Sequence, residues 1–413
     1  MKRSFLKYLV TSLLVFLVIF SFLFSRGYFD PLIKVYANKL ESTDKNENID
    51  DKEKEIENNQ LQNEQIAKDE FTEASILACG DIMFHMPQNR AALDIKTGEF
   101  NFDENFMYIK NILQETDFSM ANFETVVNPE TKLSGYPNFN SPKETLEAIK
   151  NAGFDLLSTA NNHSFDRGKS GVLSTIEEIE KIDLEYIGTN KTPETERTRT
   201  YDINGIKIGI LCYTYGLNGH INNEPYLVNE IDKDNILEDI NRLKDKSCDK
   251  IILFIHWGTE YANYQDDQQI DIEKFARENG VDIIFGSHPH VIQKAVKYDI
   301  EDRDDFKYTI FSMGNFLSNQ RGQYLNNNYY TEDGIMVKLT LKKNMTTGET
   351  KLKNIEYIPT YVHRYNDELG WHYRIVPVKQ ALNGEIDELI MTDALKNLLT
   401  NSLERTASII DLD

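Results

Sequence analysis

Two periodicities alternate along this chain. Short runs rich in β-branched and aromatic residues at 75–79, 118–123, 155–160, 207–214, 250–255, 282–286 and 308–313 predict strands. Between them, apolar residues at helical spacing predict helices over 105–115, 142–151, 169–181, 235–245 and 268–278. Strand and helix in turn give an α/β chain. After Asn315 the text becomes strand-rich, at 334–342 and 350–362, and a last helix is expected from Thr392 to about Leu403. With no internal repeat and no separate second core, 74–413 is expected to fold as one domain.

The amino terminus follows another pattern. Lys2, Arg3 and Lys7 precede an uncharged apolar run over 8–24, about 17 residues and close to the minimum for a spanning helix. The basic residues ahead of it outnumber Arg26 behind it, which places the start of the chain inside and the remainder outside. The run exits through Phe22, Leu23, Phe24, Ser25 and Arg26 without a small-x-small cleavage site, favouring an uncleaved anchor over a removed signal peptide. Residues 1–30 are thus expected to be a single-pass cell-membrane anchor with a cytoplasmic basic start. Residues 31–73, rich in Glu, Lys, Asn, Asp and Gln, are expected to be a disordered acidic linker, with a short charged stalk helix as the alternative.

A net charge of −22 argues against nucleic-acid binding, which needs surplus cations. Three scattered cysteines exclude a disulfide framework and a thiolate zinc site. The chemistry collects at the ends of the predicted strands, where α/β sheets place ligands. The first strand runs into Asp81 and His85, the second into Asn122 and Glu124, the third into Asn161, Asn162, His163 and Asp166. The later ones run into His256 and Glu260, into His288 and His290, and into Asn315. Five of the eight histidines sit at such ends.

Taken singly, each residue has an ordinary structural reading. Asp81 suits a helix cap, Asn161 and Asn162 a turn, His163 and His256 a packed core, and Glu124 a solvated edge. His288 and His290 flank Pro289 on what reads as an extended segment, which would point both rings to one face. Jointly, imidazoles, carboxylates and Asn carbonyls without thiolate suit Zn, Mn, Fe or Ni. Two such ions sharing a carboxylate can clamp a substrate oxygen and generate a nucleophile at neutral pH. Arg321, Tyr324, Tyr329 and Tyr330 are candidates for a groove, with an Asn-rich loop as the simpler reading. Tyr215, Asn218 and His220 read more simply as loop packing.

GDIMFH, NFE, STANNHSFDRG, HWGTEY, GSHPHV and SMGNFL, spread in this order over 80–317, resemble the CapA family. These are poly-gamma-glutamate capsule synthesis proteins, a branch of the calcineurin-like metallophosphoesterase superfamily. The resemblance implies a four-layer α/β/β/α metallophosphatase-like sandwich with a dinuclear centre of two divalent ions (Mn, Zn or Fe). By motif, Asp81, His85 and His290 would hold one ion, with Glu124 bridging. Asn162, His256 and His288 would hold the other. His163 would be the proton donor, oriented by Asp166. Asn122, Asn161, Glu260 and Asn315 would be outer-shell or substrate-side groups. Three residues separate Asp81 from His85 where one is usual.

The function so implied is that of an extracellular, membrane-anchored protein of capsule synthesis or export. Its expected partners are the membrane, poly-gamma-glutamate or another anionic cell-surface polymer such as teichoic acid, and membrane synthase subunits, with no nucleic acid among them. A metal-dependent hydrolase cleaving a phosphoester or an amide, and a non-catalytic accessory subunit binding the polymer, both stay open.

Overall fold

Alternation along two central strands sets the layering. In β1 (Phe71–Ile82), Ile76 and Ala78 face one core while Leu77 and Cys79 face another; in β7 (Lys250–His256), Ile252 and Phe254 are likewise separated from Ile251, Leu253 and Ile255. A strand buried on both faces needs cover on both. The structure, a computed structural model, describes residues 70–301 and 304–412. The expected anchor over 1–30 lies outside the described residues, as does the expected linker up to residue 69. Among the described residues no helix is long and apolar enough to cross a membrane.

With strands numbered in chain order, the first sheet runs β14 (Gly370–Pro377), β13 (Thr350–Asp367), β12 (Asp333–Asn344), β1, β2 (Phe118–Phe123), β3 (Leu156–Ser158) and β4 (Glu185–Ile187), with β11 (Asn315–Leu317) also on β1. The second runs β5 (Arg199–Ile203), β6 (Ile206–Thr214), β7, β8 (Ile283–Ser287), β10 (Phe306–Ile310) and β9 (Ala295–Asp299). Ile76, Ala78, Met120, Ile210, Ile252, Phe254 and Phe285 pack between the sheets. The helix Glu144–Ala152 covers the outer face of the first sheet through Leu146 and Ile149. Lys233–Asp245 and Asp267–Asn279 cover that of the second through Ile236, Ile240, Ile272 and Ala276. The result is helix, sheet, sheet, helix. These helices begin and end where local chemistry dictates: Asp232 and Asp266 accept from Asn235 N and Gln269 N at 2.9 Å, and Gly280 closes the second at φ 118°.

Some sequence boundaries move. β1 starts at Phe71, so 71–73 belong to the sheet rather than to the linker; Ile76 pairs with Phe118 and Phe71 with Asn344. The expected helix over 105–115 is two short pieces, Asp103–Phe106 and Lys110–Gln114. The expected strand over 308–313 ends at Ile310, because the chain then leaves the second sheet and enters the first as β11. The last helix continues to Ala407. Cys79, Cys212 and Cys248 are free.

Parallel pairing of β1–β2–β3 and of β6–β7–β8 puts the carboxyl ends of each set at one edge. That edge carries the candidate chemistry.

Candidate metal centre

A bulge aims the first ligand. Gly80 and Asp81 together oppose the single step from Ala121 to Asn122, and the Asp81 amide donates to Gly314 O at 3.0 Å. A Cβ on Gly80 would stand 1.9 Å from that same carbonyl, so only glycine fits there. Gly314 itself has φ 68°, at the point where the chain passes from one sheet to the other.

Asp81, Glu124, His256, His288 and His290 are all buried and come together. Ligand atoms of Asp81, Glu124 and His290 lie within 4.8 Å of one another, and so do those of Glu124, His256 and His288. The two trios share Glu124. Within them His290 Nδ1 is 3.2 Å from Asp81 Oδ2, and Glu124 Oε1 is 3.7 Å from His256 Nε2 and 3.8 Å from His290 Nε2.

Asn122 sits at the middle of this cluster. Its amide nitrogen donates to Asp81 Oδ1 at 2.8 Å and to Glu124 Oε2 at 3.3 Å, while its carbonyl accepts from Asn161 at 3.1 Å. Asn162 Oδ1 lies 3.0 Å from His256 Nε2. His163 Nδ1 lies 2.8 Å from Asp166 Oδ2, and its ring packs edge-on against Phe139 with centroids 4.7 Å apart. Glu260, exposed, joins His288 and His290 in a third trio. It is brought there because Tyr261 N donates to Pro289 O at 2.8 Å, tying the two loops.

Other expected residues fall elsewhere. His85 belongs to none of the three groups; it caps the short helix Met86–Ala91, with Nδ1 3.3 Å from Gln88 Oε1 and accepting from Asn319 N at 3.3 Å. The three residues between Asp81 and His85 carry it past the end of the strand. Asn315 donates its amide to Gln320 and to Thr331 O rather than to the cluster. Arg321 is buried against Glu332, so it lines no groove. His288 and His290 are not on an extended segment: both have positive φ, 100° and 57°, in a bend after β8 that brings their rings to 5.9 Å.

The structure adds Ser287 and gives a place to the loop after β6. Ser287 Oγ lies 2.9 Å from His256 Nδ1. Tyr215 packs on His288 with centroids 4.5 Å apart, Asn218 accepts from Asn162 at 3.2 Å, and His220 Nε2 stands 3.9 Å from Asp166. The loop after β6 therefore walls the centre, where simple loop packing was expected. No spacing rule signals this, because its contacts are with residues distant in sequence.

The electrostatics call for a cation. Asp81 and Glu124 are fully buried, and their ion-pair partners among the described residues are histidines alone. Burial, reinforced by the Asp81 charge, pushes the Glu124 carboxyl far up, while burial and neighbouring imidazoles push His256 and His288 far down. Among the described residues, Glu124 Oε1 and His288 Nδ1 are buried and have no hydrogen-bond partner. Orphaned lone pairs on carboxylate and neutral imidazole are what a divalent ion takes up. The donor set fits such an ion.

The family described as "Bacterial capsule synthesis protein PGA_cap" matches residues 75–320, well over half of the chain. The chain belongs to that family. It is 29% identical over 278 residues to the capsule biosynthesis protein CapA of Bacillus anthracis, covering 65% of this chain and 64% of that one. It is 29% identical over 256 residues to the PGA biosynthesis protein CapA of Bacillus subtilis (strain 168), covering 59% and 63%. The match thus spans less than two thirds of either relative. Among solved structures, the calcineurin-like phosphoesterase YfkN of Bacillus subtilis is similar with TM-score 0.42 at 14% identity, over 82% of this chain and 99% of that one. The NAD nucleotidase NadN of Haemophilus influenzae is similar with TM-score 0.44 at 13% identity, over 83% and 57%.

Proposed function

We propose that this protein is a metal-dependent hydrolase of capsule polymer synthesis or export. It acts outside the cell, on an anionic polymer such as poly-gamma-glutamate, from a single-pass anchor at 8–24. The observation that carries the reading is the pair of ligand trios sharing Glu124. Family membership and the relatives' names support the capsule setting. The apolar run behind a basic start supports the anchor.

Asp81 and His290 would hold one ion, His256, His288 and the Asn162 carbonyl the other, with Glu124 between. Bound divalent ions supply Lewis acidity and a nucleophile at neutral pH. The chain supplies the rest. Asn122, itself held by Asn161, orients the two carboxylates. With Nδ1–H committed to Asp166, His163 presents Nε2 to hand a proton to a leaving group. Tyr215 and Phe139 wall the site against water.

The test is to measure metal content and turnover of a chromogenic phosphodiester and of poly-gamma-glutamate, with Mn or Zn, in the wild type and in His163→Ala. Stoichiometric metal with turnover lost about 10²–10⁴-fold in the variant is the expected result. Metal bound with no turnover on either substrate would move the reading to a non-catalytic subunit that binds the polymer. Absence of bound metal would overturn it.

A further inference from the structure

The β13–β14 hairpin carries one arginine on each face. Cross-strand partners share a face, so Arg374 sits with His363 and Arg364 with Tyr373. Arg374 is neutralised by Glu104 at 3.2 Å. Arg364 is not: no carboxylate among the described residues lies within ion-pairing distance of it, in a chain whose net charge is −22. It lies over the rings of Tyr324 and Trp371, 5.8 and 5.0 Å from their centroids, and donates to Asn319 Oδ1 at 3.3 Å. Tyr324 is 70% exposed and Trp371 49% exposed. A guanidinium has five N–H donors, so most of Arg364's remain for a ligand. Stacking on aromatic faces fixes the cation without neutralising it.

This platform adjoins the metal centre. Asn319 accepts from Arg364 and donates its backbone N–H to His85 Nδ1 at 3.3 Å. The His85 ring packs edge-on against Phe139 with centroids 5.1 Å apart, and Phe139 against His163 at 4.7 Å. Contacts thus run unbroken from the proposed proton donor to Arg364.

We propose that Arg364, held between Tyr324 and Trp371, is an anion subsite for the extended part of a chain-like substrate whose reacting group lies at the metal centre. The inference rests on the reading that the centre serves an anionic polymer, and it adds where the unreacted part of that polymer is held. The group recognised is an oxyanion repeated along a chain, a carboxylate or a phosphodiester, either of which matches the guanidinium fork. It also gives His85 a place along the track rather than at an ion.

The chain has two tryptophans, and Trp257 is fully buried, so Trp371 is a built-in reporter. The full chain in non-ionic detergent is titrated with a γ-linked glutamate oligomer, a glycerol-phosphate oligomer of equal length, and a neutral oligomer, with and without Mn, following tryptophan emission. Expected is a saturable change with at least one anionic oligomer, persisting without metal, absent with the neutral one and absent in Trp371→Phe. Arg364→Ala should weaken binding about ten-fold, and Arg364→Lys less. The carboxylate and phosphate arms identify which oxyanion is held. No change with either anion, or equal affinity in Arg364→Ala with an unaltered circular dichroism spectrum, overturns the subsite. If Arg364→Ala fails to fold, full affinity in Arg364→Gln overturns it equally. Metal content and turnover measured in parallel separate the two readings: turnover without emission change sinks the subsite alone, and emission change without turnover sinks the hydrolase alone.

Discussion

Glu332 and Glu124 are both carboxylates removed from water, and they are handled in opposite ways. Glu332 receives Arg321 at 2.7 Å, Tyr361 OH at 2.8 Å and Gly322 N at 2.9 Å, so both of its oxygens are engaged. Glu124 faces another carboxylate, and its Oε1 has no hydrogen-bond partner among the described residues. The first arrangement is closed and needs nothing further. The second gathers two buried carboxylates and three imidazoles around one point, the mark of a site rather than of a core.

Removing one partner from the closed cluster should have the largest effect. Glu332→Ala strands Arg321 in the interior and is expected to lower unfolding free energy by about 3–5 kcal/mol, with metal content unchanged. Denaturant unfolding and elemental analysis on the same preparation check both halves. Chelation comes next. At an ion concentration about a hundred-fold above Kd, stripping the wild type should remove about 3 kcal/mol. Stripping Glu124→Gln should remove far less, because that variant lacks the shared ligand. Compared without metal, Glu124→Gln should be the more stable protein, by about 1 kcal/mol, since an amide ends the repulsion from Asp81. A metal-free Glu124→Gln less stable than the metal-free wild type would break the contrast.

The smallest effect lies in the closed region. His363, largely buried with Arg321 and Arg374 nearby, has its pKa lowered from 6.5 to about 4 by burial first and by those cations second. The folded state holds this ring neutral while the unfolded chain protonates it. Its contribution is therefore whole above pH 6.5 and is lost progressively as pH falls towards 4. Allowing for its partial exposure, the loss is about 1 kcal/mol by pH 5.5. His363→Gln should flatten that limb of a stability-against-pH curve.

The inner strands were legible because double burial writes long apolar runs, as in KIILFI. Edge strands were not: β4 has three residues, and β9, with exposed charged positions, carries no apolar run. β14 alternates too little to stand out from a loop. β11 was hidden inside a motif, since its pairing with β1 depends on the chain changing sheets. At the site, residue type and strand-end position singled out the candidate ligands that the structure groups, together with His85, which it does not, and the shared role of Glu124 came from the resemblance. The wall formed by Tyr215, Asn218 and His220, and the pairing of Arg364 with Tyr324 and Trp371, depend on contacts between distant segments, which no local pattern encodes.

Asp81, Glu124 and Asn162 hang from the first sheet, and His256, His288 and His290 from the second. An ion held there would be gripped from both sides, a rivet through the interlayer seam. Amides of β1 and β7 should accordingly exchange with deuterium more slowly when it is in place, and the protein's occupancy by metal becomes a gauge of whether its two halves are seated on one another.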